Sequence, residues 1–152
     1  MYKTRLVLFI AGMIILAGCA IPPPPTTYVE TAQPEWKVIS IRGNLDYDKA
    51  WQLLVNHMNS KYDMETVDKD AGLLRTDWIL DPAGDDRDDY KVRITIKFTD
   101  DRKKLKLKTD SLYHKVYKGQ LTGTVYDDYG WIPGSDTEIL DEVYGDISGL
   151  VG

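Results

Sequence analysis

The chain has 152 residues, of which 43% are hydrophobic and 28% are charged, with a formal net charge of −5 and a single cysteine. This length fits one domain with a tail, and the acidic balance excludes a nucleic-acid-binding protein that relies on bulk positive charge. One cysteine excludes an intramolecular disulfide framework and a cysteine-rich zinc site.

The N-terminal residues have the layout of a secretory signal peptide. Lys3 and Arg5 form a short positive region, and an apolar stretch follows. The uncharged run from Leu6 to Cys19 has 14 residues, whereas a helix that spans a bilayer needs roughly 20. The segment therefore resembles a signal peptide more than a permanent membrane anchor.

The end of this run resembles the lipobox of bacterial lipoproteins, in the order Leu16-Ala17-Gly18-Cys19. In such signals the cysteine is diacylated on sulfur, cleavage falls before it, and its new amine is acylated. The resemblance implies that residues 1–18 are a signal peptide and that Cys19 is the lipidation site. Ala20 follows the cysteine, which in Gram-negative lipoproteins favours the outer membrane, with the domain facing the periplasm.

Residues 19–35 are predicted to be a tether, because five of them are proline. Proline lacks an amide donor and favours an extended chain. About 16 residues at roughly 3.1 Å each would hold a domain up to about 50 Å from the membrane. A single periplasmic domain is predicted over residues 36–152.

The domain begins with a predicted strand at 36–42, which is rich in β-branched residues. Asn44 or Asp46 can then cap a helix. Apolar side chains recur at three- and four-residue spacings over about four turns, which predicts a helix with one apolar stripe. The members of this stripe are Tyr47, Trp51, Leu54, Val55, Met58 and Tyr62.

A first hairpin is predicted from a strand at 64–68, a turn at 69–72 and a return strand at 73–80. In the return strand Leu74, Thr76 and Trp78 are expected to share one face. A polar loop with five aspartates follows at 81–89. Calcium binding was one interpretation of this loop, but the spacing differs from that of an EF-hand, and a solvated acidic loop is the simpler prediction.

A second hairpin is predicted from residues 90–99 and 104–110, which alternate between apolar and basic side chains. Both strands bury their apolar sets only when Phe98 and Leu105 share a face. The residue numbers of two directly paired residues must therefore add up to an odd number, and a loop over 100–103 allows this.

The remaining residues predict a strand at 112–126, an aromatic loop at 127–134 and a second helix with one apolar stripe. Ser135-Asp-Thr-Glu138 reads as a capping box at the start of that helix. Because each helix has a single stripe, both are expected on the same face of an antiparallel sheet, in a two-layer α+β domain.

Two segments carry a resemblance to a known family. They are Asp48-Lys-Ala50-Trp51-Gln-Leu53-Leu54 and Val67-Asp68-Lys-Asp-Ala-Gly72-Leu73-Leu74-Arg75-Thr76-Asp77-Trp78. They resemble the repeated domain of the component C type of accessory lipoprotein in the outer-membrane β-barrel assembly machinery. The resemblance implies a helix-grip-like α+β fold, an envelope assembly role and no catalytic residues. This chain has one such domain and a much shorter N-terminal segment.

Catalysis is not expected. Asp110, Ser111 and His114 are of the right types for a triad, but neighbours on one strand point to opposite faces and cannot converge. The sequence contains no P-loop, no dinucleotide-binding fingerprint and no HExxH motif. We therefore predict a protein that is not an enzyme and that uses no cofactor or metal.

The charges are segregated along the chain. Residues 91–118 hold ten Lys and Arg and three Asp, whereas 119–152 hold seven acids and no basic residue. With the helices on the inner face, the outer face would carry six basic residues: Lys91, Arg93, Lys97, Lys104, Lys106 and Lys108. This face would either dock an acidic protein or anionic lipid head groups, or simply be solvated.

A second candidate site is the aromatic loop with Tyr126, Tyr129 and Trp131. These rings would either anchor an interface or plug the open end of the sheet. The first functional hypothesis is a non-catalytic outer-membrane lipoprotein whose periplasmic domain binds envelope proteins, as an accessory subunit of an assembly complex. The alternative is a carrier or sensor for a lipid or small apolar ligand. Nucleic acid is not an expected partner.

Overall fold

The computed structural model describes residues 23–80, 82, 84, 88–118 and 126–152, with the backbone alone for 116–118 and 126–129. These residues form one eight-stranded antiparallel sheet and two helices. The elements in chain order are β1 (Tyr28–Glu30), β2 (Lys37–Ser40), α1 (Tyr47–Lys61), β3 (Met64–Asp68), β4 (Leu73–Thr76), β5 (Ile79–Leu80), β6 (Tyr90–Phe98), β7 (Lys104–Lys118), β8 (Tyr126–Asp136) and α2 (Thr137–Val151).

The strand order is β1-β8-β7-β6-β4-β3. The long strand β7 pairs with β6 on one side and with two strands on the other. Its first residues pair with β2 and its residues from Ser111 onward pair with β8. In the same way, β4 and β5 pair with successive parts of β6. The two central strands β6 and β7 thus organise the whole sheet.

Both helices pack on the same face, which we call the inner face, and bury one stripe each against it. The main core cluster unites residues of both helices with the inner-face side chains of β6 and β7. Its buried members from these elements are Ala50, Trp51, Leu54, Met58, Leu140, Val143, Ile147, Val151, Ile94, Ile96, Phe98, Leu105 and Leu107. The predicted α+β fold is confirmed, and the opposite face, which we call the outer face, carries neither helix.

Local sequence explains the start of α1 and the β6–β7 hairpin. The side chain of Asp46, one of the two predicted caps, accepts a 2.7 Å hydrogen bond from the backbone N–H of Lys49. Phe98 pairs with Leu105, so the predicted odd-sum register is confirmed. Since side chains alternate along a strand, this register keeps the lysines of β7 out of the core.

The C-terminal strands differ from the prediction. Residues 104–118 form one strand instead of two, because β6 supplies pairing partners as far as Tyr113 and β8, on the other side of β7, pairs from Ser111 to Lys118. The segment 127–134, predicted as a loop, belongs to β8. It stays paired because a register shift with Gly130 at a φ of 68° absorbs one extra residue, as in a β-bulge.

The start of the second helix also differs from the predicted capping box. Strand β8 runs on to Asp136, and this residue is the N-cap of α2 in place of Ser135. Its side chain accepts a 2.9 Å hydrogen bond from the backbone N–H of Ile139. Strand pairing therefore moved the cap by one residue.

The expected sharing of one face by Leu74, Thr76 and Trp78 is wrong for the last of these. The strand breaks at Asp77 and Trp78, between β4 and β5. Ile79 packs against the core, whereas the ring of Trp78 lies beside Arg93 on the outer face. The break shifts the alternation by one position, so Trp78 leaves the core.

Part of the segment predicted as a tether belongs to the sheet. Tyr28–Glu30 form β1 and pair with β8, with Tyr28 opposite Asp136. The folded domain therefore begins before Trp36. Composition did not reveal this strand, because it has three residues and depends on the partner edge of β8.

Candidate functional site

The outer face brings together the six basic residues named from the sequence. Lys91, Arg93 and Lys97 alternate along β6, and their partners in β7 are Leu112, Asp110 and Lys106. Because directly paired residues share a face, the lysines of β7 lie on the same side as those of β6. Lys104 pairs with Ser40 at the start of β7, and Lys108 pairs with Thr95. The predicted positions are confirmed, whereas their role in binding stays a prediction.

Three tryptophans lie among these cations. The Nζ atoms of Lys106 and Lys108 are 5.6 and 5.4 Å from the ring centroid of Trp36, which is 40% exposed. The Nζ of Lys91 is 4.3 Å from the ring of Trp131, which is 42% exposed. A cation over an indole face is attracted by the ring quadrupole. Basic and aromatic side chains therefore form one mixed surface on the outer face.

The third tryptophan, Trp78, lies next to the guanidinium of Arg93, whose Cζ is 4.5 Å from the ring centroid. Lys91 lies between this ring and Trp131, at 5.1 Å from the first and 4.3 Å from the second. Neither Trp36 nor Trp78 was among the site residues predicted from the sequence. Only the placement of β2 beside β7 and the break before β5 bring them to this face.

The predicted aromatic loop is not a loop. Tyr126, Tyr129 and Trp131 all lie in β8, and the side chains of the two tyrosines are outside the described residues. Trp131 pairs with His114, and their ring centroids are 5.1 Å apart. Of the two interpretations, a plug under the second helix is wrong for Trp131, because its ring faces the outer surface with Lys91.

The centre of the outer face contains two arginines, a threonine and a glutamate. Arg75 of β4 pairs with Thr95 of β6, and Arg93 lies two residues before Thr95 on the same face. Glu65 Oε2 is 2.8 Å from Arg75 Nε and 3.6 Å from Arg93 Nη1. Among these, only Arg93 was predicted from the sequence as a binding residue. The alternation of residues 73–76 was the available signal for Arg75, but Glu65 gave none.

A buried carboxylate lies at the N-terminus of α2, beside the first residue of β6. Asp136 is 2% exposed and accepts hydrogen bonds from the hydroxyls of Tyr90 and Thr27 at 2.6 and 2.8 Å. Burial, together with the hydrogen bond to Asp136 and its negative charge, raises the pKa of Tyr90. Since both oxygens of this carboxylate accept hydrogen bonds from the protein, we assign it a structural role.

A cavity of about 240 Å³ adjoins this carboxylate. Its lining includes three acidic side chains and two residues that precede β1. The lining residues are Pro25, Thr27, Pro82, Tyr90, Asp136, Glu138, Ile139 and Glu142. The end of the domain where the chain enters from the N-terminus is therefore negatively charged, in contrast to the outer face.

The residue types that suggested a triad do not converge. Ser111 is buried, Asp110 contacts Lys108 at 2.5 Å, and His114 stacks on Trp131. Within the described ranges, no three His, Cys, Asp or Glu side chains are grouped as metal ligands would be. Most of the aspartate loop at 81–89 lies outside those ranges. In the same part of the chain, no helix is both long and apolar enough to cross a membrane.

Comparison of the chain with profiles of known protein families, with curated proteins and with solved structures gave no match. The resemblance of residues 48–78 to the component C lipoproteins therefore stays a prediction.

Proposed function

We propose that this protein is a non-catalytic lipoprotein of the bacterial outer membrane, anchored through Cys19, whose periplasmic domain binds an acidic surface of an envelope protein. The observation that carries the proposal is the outer face, on which lysines, arginines and exposed tryptophans are left uncovered by both helices. Arginine and tryptophan are enriched among the residues that dominate protein interfaces.

The distribution of like charges supports a ligand-binding role over a purely solvated face. Lys97 and Lys106 are direct partners across β6 and β7. Like charges at directly opposite positions destabilise a sheet. An acidic partner would relieve this repulsion and gain from the same charges, and complementary potentials also speed association.

The position of the anchor supports a protein partner over the lipid surface. Seven residues lie between Cys19 and Thr27, which packs on Asp136, so eight Cα-to-Cα steps join the two. Fully extended, they reach at most about 29 Å, well short of the reach expected from a tether that ends at residue 35. The chain enters beside Glu138 and Glu142, and with Cys19 as the anchor we expect this acidic end of the domain to lie nearest the membrane.

The carrier alternative stays a prediction, and the packing gives it no specific support. The space between the helices and the sheet is filled by large side chains such as Leu54, Phe98 and Ile147, each at most 1% exposed. The resemblance to the component C lipoproteins extends the main proposal to an accessory subunit of an outer-membrane protein assembly complex.

The test is crosslinking in intact cells that express the lipidated full chain, with Lys97→Glu and Lys49→Glu as matched variants. Both lysines are exposed, but Lys97 is on the outer face and Lys49 is on α1. Glu at 97 would face Lys106, so the fold is expected to tolerate it. We expect Lys97→Glu to lose a specific envelope crosslink that Lys49→Glu retains.

Raising the salt concentration should weaken retention of the crosslinked partner, because exposed charges are screened. Cys19→Ser should lose acyl labelling and membrane association. Equal crosslinks in the two lysine variants would contradict binding through the outer face. Membrane association of Cys19→Ser equal to that of the parent would contradict the anchor.

A further inference from the structure

The centre of the outer face has an unusual deficit of hydrogen bonds. Arg75 Nε, Arg93 Nε and Thr95 Oγ1 are all shielded from water, and none has a hydrogen-bond partner. Thr95 is 7% exposed although it lies on the outer face. Shielded polar groups without a hydrogen-bond partner are rare in folded proteins, so several at adjoining positions call for a reason beyond folding.

The three groups belong to one small area. Arg75 and Thr95 are direct partners between β4 and β6, and Arg93 is the next residue of β6 on the same face. The ring of Trp78 lies against Arg93, with the guanidinium carbon 4.5 Å from its centroid. A guanidinium that stacks by its face keeps its N–H edge available for an anion.

Glu65 partly fills this area. Its Oε2 contacts both arginines, at 2.8 and 3.6 Å. The N–H of Arg75 Nε does not point at that oxygen, so the closer contact is an ion pair without a hydrogen bond. Glu65 and the two guanidinium groups together carry a net positive charge, and Asp110, the partner of Arg93 in β7, is itself paired with Lys108.

Glu65 reaches the arginines because of a local irregularity. It is the extra residue between Met64 and Thr66, whose partners Thr76 and Arg75 are adjacent in β4. Such bulges re-aim a side chain and are common at sheet edges, and β3 is the last strand of the sheet order. With 43% of its side chain exposed, Glu65 is accessible to exchange with another carboxylate.

We infer that Arg75, Arg93 and Thr95 form an anion-binding subsite that takes a Glu or Asp side chain of the acidic partner, and that Glu65 is an internal occupant which the partner's carboxylate displaces. The inference rests on the proposed function and names the centre of its binding surface. Two arginines can receive a carboxylate through paired N–H donors, and Thr95 adds a hydroxyl. Glu65 competes with the partner's carboxylate and so lowers the affinity of the domain for the partner.

The test is a titration of the full lipidated chain, in mild detergent near neutral pH, with a fluorescently labelled, end-blocked hexaglutamate peptide. Glu65→Gln removes the competing charge and should tighten binding at least about threefold. Arg93→Lys keeps the charge but loses the planar fork, and it should weaken binding at least about fivefold. Lys49→Arg is the matched control, a charge-conserving change of an exposed lysine on α1, away from the outer face, and it should leave binding within about twofold.

Equal or weaker binding by Glu65→Gln, or equal effects of Arg93→Lys and Lys49→Arg, would overturn the subsite. Thermal unfolding checks that the variants fold. If Arg93→Lys does not fold, the binding affinity of Glu65→Gln decides between the outcomes. Inorganic phosphate and acetate serve as competitors, and displacement by phosphate at far lower concentration than by acetate would overturn the carboxylate assignment. If Glu65→Gln and Arg93→Lys do not change peptide binding as expected, but Lys97→Glu still abolishes the cellular crosslink, the subsite is wrong and the proposed function stands.

Discussion

The hydroxyl of Tyr90 donates a 2.6 Å hydrogen bond to Oδ2 of the buried Asp136, which links the first residue of β6 to the N-cap of α2. The same oxygen accepts a hydrogen bond from Thr27, and Oδ1 accepts one from the backbone N–H of Ile139. One carboxylate therefore joins the segment before β1, the central sheet and the second helix. Because the carboxylate is buried, these hydrogen bonds compensate for the hydration that it loses on folding.

Tyr90→Phe should lower the free energy of unfolding by about 1.5–3 kcal/mol, since it removes a hydrogen bond to a buried charged group. Urea unfolding followed by tryptophan fluorescence would measure the change. Tyr144→Phe is the control, because this half-buried tyrosine of α2 contacts Lys37 with its ring. Similar losses in the two variants would contradict a special role for the Tyr90 hydroxyl.

Gly134→Ala tests whether β1 belongs to the folded domain. A Cβ at this position would lie 2.2 Å from Tyr28 Cε2 and 2.6 Å from the Val29 carbonyl oxygen. We expect β1 to detach from β8, with a loss of about 1–3 kcal/mol in unfolding free energy and faster proteolysis between residues 25 and 35. Gly149→Ala, in α2 with nothing near its added methyl, should be neutral or stabilising. Unchanged protease resistance of Gly134→Ala would contradict the pairing of β1.

Alkaline pH should destabilise the domain through its buried tyrosines. Burial, reinforced by the charges of Glu30 and Tyr113, raises the pKa of Tyr28 from 10.0 to about 12. The stabilisation that goes with a raised pKa is complete below the unfolded value and is lost as pH rises through the folded one, from about 10 to about 12. Unfolding free energies measured at intervals from about pH 9 to about pH 11 should fall, and Tyr28→Phe should fall less steeply. An equally steep fall of the unfolding free energy with pH in the parent and in Tyr28→Phe would contradict the raised pKa of Tyr28.

Near neutral pH, Tyr28→Phe has a second effect. The Tyr28 hydroxyl is 3.1 Å from the Ile132 carbonyl oxygen and 3.0 Å from that of Pro133, and its single hydrogen is shared between these two acceptors. Loss of these contacts should lower the unfolding free energy by about 1 kcal/mol. The variant therefore begins less stable than the parent, and the gap should narrow as the pH rises.

Acid should weaken the bridge between the two helices. Lys61 of α1 donates a 2.5 Å hydrogen bond to Asp146 of α2, and this contact holds the pKa of that carboxyl below its usual range. A lowered pKa means stabilisation that is present above the unfolded value of about 3.9 and is lost as pH falls through the folded one. Because both side chains are more than a third exposed, the bridge is worth at most about 1 kcal/mol.

Asp146→Asn should therefore lower the unfolding free energy by about 0.5 kcal/mol at about pH 6, and by less as the pH falls below about 4. Urea titrations of the parent and the variant at several pH values would measure this. A difference that stays constant with pH would mean that the carboxylate charge does not contribute. High salt should reduce the difference near neutral pH.

The sequence by itself determined the features that depend on local periodicity. The apolar stripe of α1 and the odd-sum register of Phe98 with Leu105 follow from side-chain alternation, which leaves one arrangement that buries the apolar residues. The placement of the six basic residues on one face follows from that same register. The α+β architecture then follows from two one-sided helices and a sheet.

Only the tertiary structure decided the features that depend on a partner strand. Tyr28–Glu30 form a strand because the edge of β8 is there to pair with them, and Trp78 reaches the outer face because the strand breaks before it. Glu65 meets Arg75 and Arg93 because a bulge in β3 turns it outward. Such breaks and bulges change the side-chain alternation by one position, and pairing between distant segments decides where they occur. The single cysteine and the alternating lysines could thus be recognised in the sequence, whereas the arginine cluster at the centre of the outer face forms only when the strands of the sheet pair.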